Sequence, residues 1–201
     1  MKNLSPAEPT SARNIVYTVH FSAVDATDRV EVERFIGGIF QQAYGANITH
    51  FMPFLMSLRN LEGKLIAACG LRSAADERLF LEIYMDQPVE AILSERTRST
   101  VLRSDIIEIG NFSVAEPGMA RLLNNAIFDQ LYVTSKRWAV FTVVPALHNA
   151  LIKSDIFPDY LCDADISRLP PEARAEWGSY YDQKPQVMAI RRTERRRNNR
   201  L

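Results

Sequence analysis

The stretch DIIEIGN, Asp105 to Asn111, sets one carboxylate, Glu108, in the middle of an apolar run. As a strand, its period-two alternation puts Ile106, Glu108 and Gly110 on one face and Ile107 and Ile109 on the other. A carboxylate there must face water, pair with a cation, or hold its proton more tightly than usual. In the last case it suits a general base that takes a proton from an amine. The same run leads into SVAEPGMAR, Ser113 to Arg121, ahead of a long helical pattern. Gly118, Met119, Ala120 and Arg121 would form the first helical turn, where N–H groups can bind a phosphate and Arg121 adds charge. Pro117 has no N–H to give and fits a first turn, whereas Glu116 is a like charge beside the phosphate. The plainer reading of the loop is a helix start with Gly for packing.

Other chemistry-bearing residues are scattered. Glu82 and Tyr84 in FLEIYMD alternate onto one face, as the lining of an acceptor pocket or as an ordinary amphipathic strand. Asn149 follows the run WAVFTVV and either holds a donor or caps a helix; His148 beside it reads as structural. Tyr180, Tyr181 and Asp182 in WGSYYDQKP read as a packed turn, or as a source of an acid for a leaving thiol. No Ser or Cys has nucleophile surroundings, so attack by a bound amine on a thioester fits better than a covalent intermediate. Cys69, inside LIAACGL, reads as a buried thiol, Cys162 is distant in sequence, and the three His show no metal-ligand spacing. No metal site is expected.

The elements that must position these groups can be read from periodicity. IVYTVHF, Ile15 to Phe21, is β-branched and aromatic, hence a strand. A helix follows, opened by Asp25 or Thr27 and stopped at Gly45, with the costly pair Gly37-Gly38 inside it. FLMSLRN and KLIAACGLR flank LEG as a hairpin, Arg78 to Asp86 reads as a short strand, and Pro88 starts a short helix. Then come the strand carrying Glu108, a helix from Gly118 to Ser135, a strand from Trp138 and a helix entered through Pro145. A strand at the start of IFPDYLCDADISRL, a short helix in PPEARAEWGSYY and a last strand in PQVMAIRR complete the chain. This order predicts an α/β (α+β) domain with one twisted mixed sheet, helices on both faces and a right-handed crossover joining two parallel strands. Residues 1–14 are expected to be disordered, 15–190 to form a single domain, and 191–201 to form a basic disordered tail.

With 201 residues, 47% of them hydrophobic, the chain can bury a sizeable core. No apolar run approaches the ~20 residues that span a bilayer. The opening MKNLSPAEPTSARN has no apolar core, so no secretory signal is expected. A cytoplasmic protein is the default. Net charge is zero, yet the tail from Arg191 to Leu201 holds six Arg and one Glu, which leaves the remainder acidic. That balance argues against nucleic acid as the main ligand and leaves anionic membrane, RNA or an acidic carrier protein as partners of the tail.

Taken together, the order of elements resembles the GNAT acyltransferase superfamily and, more distantly, acyl-homoserine-lactone synthases. YGANITHFMPFLMSLRNLEGKLIAACGLRSA, LFLEIYMDQPVE, IIEIGNFSV with PGMARLL, WAVFTVVPALHN and WGSYYDQKPQVMA resemble the thermostable hemolysin family over Val19 to Ala189. The resemblance implies a GNAT-like sheet with a splayed parallel strand pair in its middle. It implies transfer of an acyl group from acyl-CoA or acyl carrier protein to a small amine acceptor, with no permanently bound cofactor. Arg72 in GLR and Glu108 in EIG then belong to the acceptor site, joined there by Glu82. Asn111, Phe112, Ser113 and Val114 would offer backbone groups to a pantetheine arm, with Gly118 to Arg121 and Asn149 completing the donor site. The chain departs from the usual pattern in two places. Of the phosphate loop only Gly118 and Arg121 remain, and Asp155-Ile156 stands where a Gly is expected before Phe157. These departures leave room for a longer acyl donor. Two rivals stand beside the enzyme: a membrane-active protein without catalysis, peripheral on the membrane through its basic tail, and a degenerate domain that only binds a ligand.

Overall fold

The LEG segment folds as its flanks require. β2 (Phe54–Asn60) and β3 (Leu65–Ser73) pair antiparallel. The Asn60 side chain accepts hydrogen bonds from the amides of Glu62 and Lys64, and Gly63 takes the left-handed conformation that closes the turn. β1 (Tyr17–Ser22) adds to the outer edge of β2, and α1 (Arg29–Tyr44) returns across the sheet between them in sequence. Neither Asp25 nor Thr27 caps α1: the helix begins after Asp28, which makes no side-chain capping bond. Buried Arg29 anchors this end instead, donating to the carbonyls of Ser22, Met52 and Pro53. Gly45 ends the helix in the left-handed conformation, as expected. Gly37 and Gly38 face open space, so close packing does not explain them.

β4 (Ile106–Val114) lies antiparallel to β3, and α3 (Ala120–Val133), after the short α2 (Val89–Thr97), carries the chain over to β5 (Trp138–Val143), parallel to β4. α4 (Pro145–Ile152), β6 (Asp159–Asp163), the one-turn helix α5 (Pro171–Arg174) and β7 (Gln186–Arg191) follow. The sheet has seven strands in the order β1-β2-β3-β4-β5-β7-β6, all antiparallel except β4 and β5. The structure is a computed structural model that describes residues 16–192. The expected N-terminal segment, residues 1–14, lies outside the described residues.

The two sheet faces carry separate cores. Val32, Ile36, Leu55, Leu81 and Val140 pack on the α1 side. Met56, Leu58, Leu123, Ile127 and Leu131 pack on the α3 side. Each such buried side chain contributes about 1.5–3 kcal/mol by leaving water.

Three expectations change. Arg78 to Asp86 is not a strand; Phe80–Tyr84 forms a 3-10 turn, because its leading amides bond to carboxylates instead of a neighbouring strand. The helix after β4 starts at Ala120, not Gly118, behind a 3-10 turn at Pro117–Met119, and it ends at Val133. Arg191 and Arg192 belong to the folded domain. Arg191 ends β7 opposite Trp138, and Arg192 donates to the Leu131 carbonyl at 2.8 Å. Residues 193–201 lie outside the described residues.

Candidate active site

β4 and β5 are paired from Ile106–Trp138 to Ile109–Phe141, and there their ladder stops. β4 runs on beside β3, and among the described residues no strand lies along its β5-facing edge beyond Ile109. A bulge marks the parting. Three steps of β4, from Gly110 to Ser113, oppose two steps of β3, from Ala68 to Gly70, and Asn111 absorbs the extra residue at φ +50°. Gly70 and Gly110 face each other under Met52, whose side chain fills the space a Cβ would need at either position. A cavity of about 170 Å³ opens at the splay. Its walls include Glu108 and Tyr84 from the α1-side face and Ile127, Leu131 and Ala139 from the α3-side core.

Glu108 lines this cavity and is 2% exposed. Its Oε2 accepts from the amide of Phe80 at 2.8 Å and its Oε1 from that of Leu81 at 2.9 Å. Burial pushes its carboxyl up to about 7, against the opposing pull of these two amides and of Arg72. It is therefore poised between its charged and neutral forms near neutral pH, as a base for an amine requires.

Glu82 sits differently. It does not line the cavity; its two oxygens take a bidentate pair from Arg103 at 2.7 and 2.8 Å. The amides of Leu79 and Val89 complete its shell at 2.9 and 3.1 Å. Burial works to raise its carboxyl, but Arg103 and the two amides outweigh it and hold the group below the usual carboxylate range. With both oxygens taken, Glu82 braces the 3-10 turn whose amides hold Glu108. The structure thus gives it a supporting position, not contact with an acceptor in the cavity.

Arg72 does line the cavity and is the register partner of Glu108 on β3. The alternative of an ion pair between them is not what forms: Arg72 lies 3.3 Å from the Glu77 carboxylate and donates to the Arg78 carbonyl.

The α1-side wall is aromatic. Phe40, Tyr44, Phe80, Trp177, Tyr180 and Tyr181 pack at centroid distances of 5.1–6.3 Å. The Tyr181 and Tyr84 hydroxyls are hydrogen-bonded to each other. Burial pushes the Tyr181 hydroxyl up to about 12, against the bond from Tyr84, and raises Tyr84 and Tyr180 further. All three stay protonated at neutral pH. The packed-turn reading of Tyr180 and Tyr181 is met, and both also face the cavity; Asp182 is exposed. Gly178 seats this turn against the end of α1, with φ +50° and no room for a Cβ, which would run into the Tyr44 carbonyl.

The donor residues read from the sequence divide. Asn111 and Phe112 line the cavity, and the Asn111 Oδ1 also accepts from the Met52 amide at 3.3 Å. Ser113 is buried with its hydroxyl on the Asn111 carbonyl, and Val114 pairs with Ala67. Gly118, Met119, Ala120 and Arg121 do not line the cavity. The Met119 and Ala120 amides are already spent on the carbonyls of Glu116 and Pro117, which weakens this turn as a phosphate cradle. Asn149 is exposed on α4 and outside the cavity, which Leu147 and Leu151 line from the same helix. The Gly missing before Phe157 is replaced in function by Asp155, which adopts φ +58° while Ile156 donates back to the Leu151 carbonyl. Sequence reading passed over Phe40, Tyr44 and Asn124. The signal for Asn124 was present: it interrupts the apolar stripe of α3 that continues through Ile127 and Leu131.

Comparison with known proteins agrees with this geometry. The thermostable hemolysin family model matches residues 22–195. The chain belongs to the thermostable hemolysin family. Among solved structures, this family member is similar to FeeM, an N-acyl amino acid synthase from uncultured soil microbes, at TM-score 0.58 and 13% identity over 89% of this chain and 94% of that one. It is similar to the AHL synthase LasI at TM-score 0.57 and 9% identity, over 89% and 91% of the two chains. A third similar structure is MesI, a CoA-dependent acyl-homoserine lactone synthase, at TM-score 0.50 and 13% identity over 88% and 90%. The shared fold is the GNAT-like sheet with its parallel pair β4–β5. No curated protein matches the sequence.

Proposed function

We propose that this hemolysin-family chain is an N-acyltransferase that moves an acyl group from a thioester, on CoA or acyl carrier protein, to an amine. The observation that carries the reading is the buried Glu108, set at the splay of β4 and β5 on the wall of a largely apolar cavity. The donor arm would lie along the unpaired edge of β4 past Ile109 and bond to it as an added strand does. Asn111, Phe112, Ser113 and Val114 would line its path; Gly118 to Arg121 would face its phosphate end and Asn149 its flank. The acceptor amine would sit on the α1 side, with Glu108 taking its proton and Arg72 orienting it. The amine nitrogen attacks the thioester carbonyl, a C–N bond forms, the C–S bond breaks, and the thiol leaves with a proton. Glu82 serves by fixing the turn that holds Glu108. The fold similarity to FeeM and the AHL synthase LasI supports the reading, the activities of those proteins being their own.

Thermal shift with CoA, acetyl-CoA and decanoyl-CoA tests it. A donor at 100 times its Kd should stabilise by about 2.7 kcal/mol, or roughly 5–10 °C for a chain of this size. Stabilisation that grows with chain length supports the proposal. If neither acyl-CoA nor acyl carrier protein binds, the proposal is lost.

A further inference from the structure

The sheet has two edges, and they are finished differently. β6, at one end, is guarded: Asp159 and Asp163 stand at its ends, its register shifts between Tyr160 and Cys162, and Arg96 donates to the carbonyls of Tyr160 and Leu161. Charges and bulges of this kind keep an edge strand from pairing with another chain. β1, at the other end, has neither. Its sequence, YTVHFS, carries no Lys, Arg, Asp, Glu or Pro, its register with β2 is unbroken, and four of its six residues are exposed. Among the described residues no strand lies along its outer edge.

The side chains around this edge are apolar. Val19 and Phe21 lie opposite Leu58 and Met56, so they share the α3-side face of the sheet, yet they remain 36% and 49% exposed. Phe54, which opens β2, adds an exposed ring on the same face. Six of the eleven exposed large hydrophobic side chains among the described residues, Val16, Val19, Phe21, Val24, Phe54 and Leu61, lie on β1 or within two residues of an end of β1 or β2. Such a concentration marks an interaction surface.

We propose that β1 pairs antiparallel with β1 of a second copy of this chain, joining two seven-stranded sheets into one. A two-fold axis normal to the sheet keeps like faces together, and directly opposed residues point to the same face. The apolar row Tyr17, Val19, Phe21 therefore meets itself in every register that this symmetry allows. The pairing also closes: with β6 guarded, each chain offers one open edge, and association stops at two. Anionic lipid fits the patch poorly, because Asp25, Asp28 and Glu31 border it and Arg59 is already engaged by Asp28 and Glu31. Residues 1–14 fit it poorly too. Met1 and Leu4 are their only large apolar side chains, and Pro6 and Pro9 lack the N–H that a ladder needs. β2 and β3 separate β1 from the splay, so pairing leaves the cavity open and does not depend on the acyltransfer reading.

Sedimentation equilibrium of the full chain over a concentration series tests the pairing. The expected species is a dimer of twice the 22.9 kDa chain mass. Val19→Lys combined with Phe21→Lys sets like charges across the seam and should weaken association about tenfold or more, with the fold checked by circular dichroism. Amide exchange of the wild-type protein needs no variant: the amides of Tyr17 to Ser22 should exchange more slowly as concentration rises, while those of β6 do not change. Removing residues 1–14 should leave the dimer intact. A chain that stays monomeric overturns the proposal, whether or not liposomes bind it. So does a dimer that the double substitution leaves unchanged, one that gives β1 no concentration-dependent protection, or one lost with residues 1–14.

Discussion

Arg72 and Glu108 are register partners on adjacent strands, yet their charges are handled separately. Arg72 turns to Glu77, and Glu108 is held by the amides of Phe80 and Leu81. Because no cation among the described residues lies at contact distance from Glu108, burial dominates and keeps its proton affinity high. A direct pair would have made it a permanent anion of lower basicity. The separation therefore serves a base, and it gives the most direct test of the proposed role. Glu108→Gln should lower acyl transfer about 100- to 10,000-fold while donor binding is retained, read by steady-state rates beside a thermal shift. Full activity in this variant removes Glu108 from the chemistry.

The same residue sets a pH dependence of stability. Its folded-state value, about 7, lies above the ordinary glutamate value of 4.5, so the folded protein holds the proton more tightly than the unfolded chain. The contribution is complete below about pH 4.5 and is lost as pH rises through about 7. Between those limits wild-type stability should fall relative to Glu108→Gln, at up to about 1.4 kcal/mol per pH unit. Urea melts of both proteins at pH 5 and pH 8 measure the difference. Transfer activity should move the opposite way, rising through pH 7 as the carboxylate forms.

The Glu82 brace predicts a loss without any contact to ligand. Arg103→Met leaves a buried carboxylate with two amides and no cation. Breaking such a pair from one side costs about 3–5 kcal/mol when fully buried, and less here because Arg103 is partly exposed. A drop of several degrees in Tm is expected, with a shifted pH–rate profile as the 3-10 turn loosens around Glu108. An unchanged profile would make Glu82 a stability element alone.

Gly178 has no room for a side chain. Gly178→Ala would drive a methyl group into the Tyr44 carbonyl at a left-handed backbone position. A loss of about 2 kcal/mol or more is expected in denaturant melts. Weaker binding of any ligand that rests on Trp177 and Tyr181 should accompany it.

Truncation separates the tail from the fold. Removing residues 193–201 should leave Tm and acyl-CoA binding intact, because Arg191 and Arg192 keep their contacts with Trp138 and Leu131. Removing Arg191 and Arg192 as well should lower Tm. If the shorter truncation loses binding to anionic liposomes, a peripheral membrane role lies in the tail; if the full chain binds none, that role is excluded.

Strand alternation and the Pro- and Gly-marked helix ends made the sheet, its crossover and the cavity position of Glu108 readable from the residues. What was not readable depended on who would claim particular amides. The alternation in FLEIYMD suits a strand, but Glu82 and Glu108 take the leading N–H groups and wind the segment into a turn. Similarly, PGMAR reads as an anion site until the 3-10 turn spends two of its amides on its own carbonyls. Asn149 looked like a donor ligand because it follows β5, but one helical phase decides whether such a residue meets the cavity, and Leu147 and Leu151 hold that phase. Asn124 is the converse case, a polar residue that the helical phase turns inward.

The splay has a mechanical side as well. Four residue pairs, Ile106–Trp138 to Ile109–Phe141, are the whole strand-to-strand seam between the β1–β4 half of the sheet and the β5–β7 half. Beyond this short seam the halves are joined by the shared α1-side core, by Arg96 on the carbonyls of Tyr160 and Leu161, and by the Ser179 amide on the Tyr44 carbonyl. An arm hydrogen-bonded along the open edge would lengthen the seam and fasten the halves together. Occupancy would then be felt as slower amide exchange in β5 and β7, remote from the arm, and as sharper, more unified unfolding.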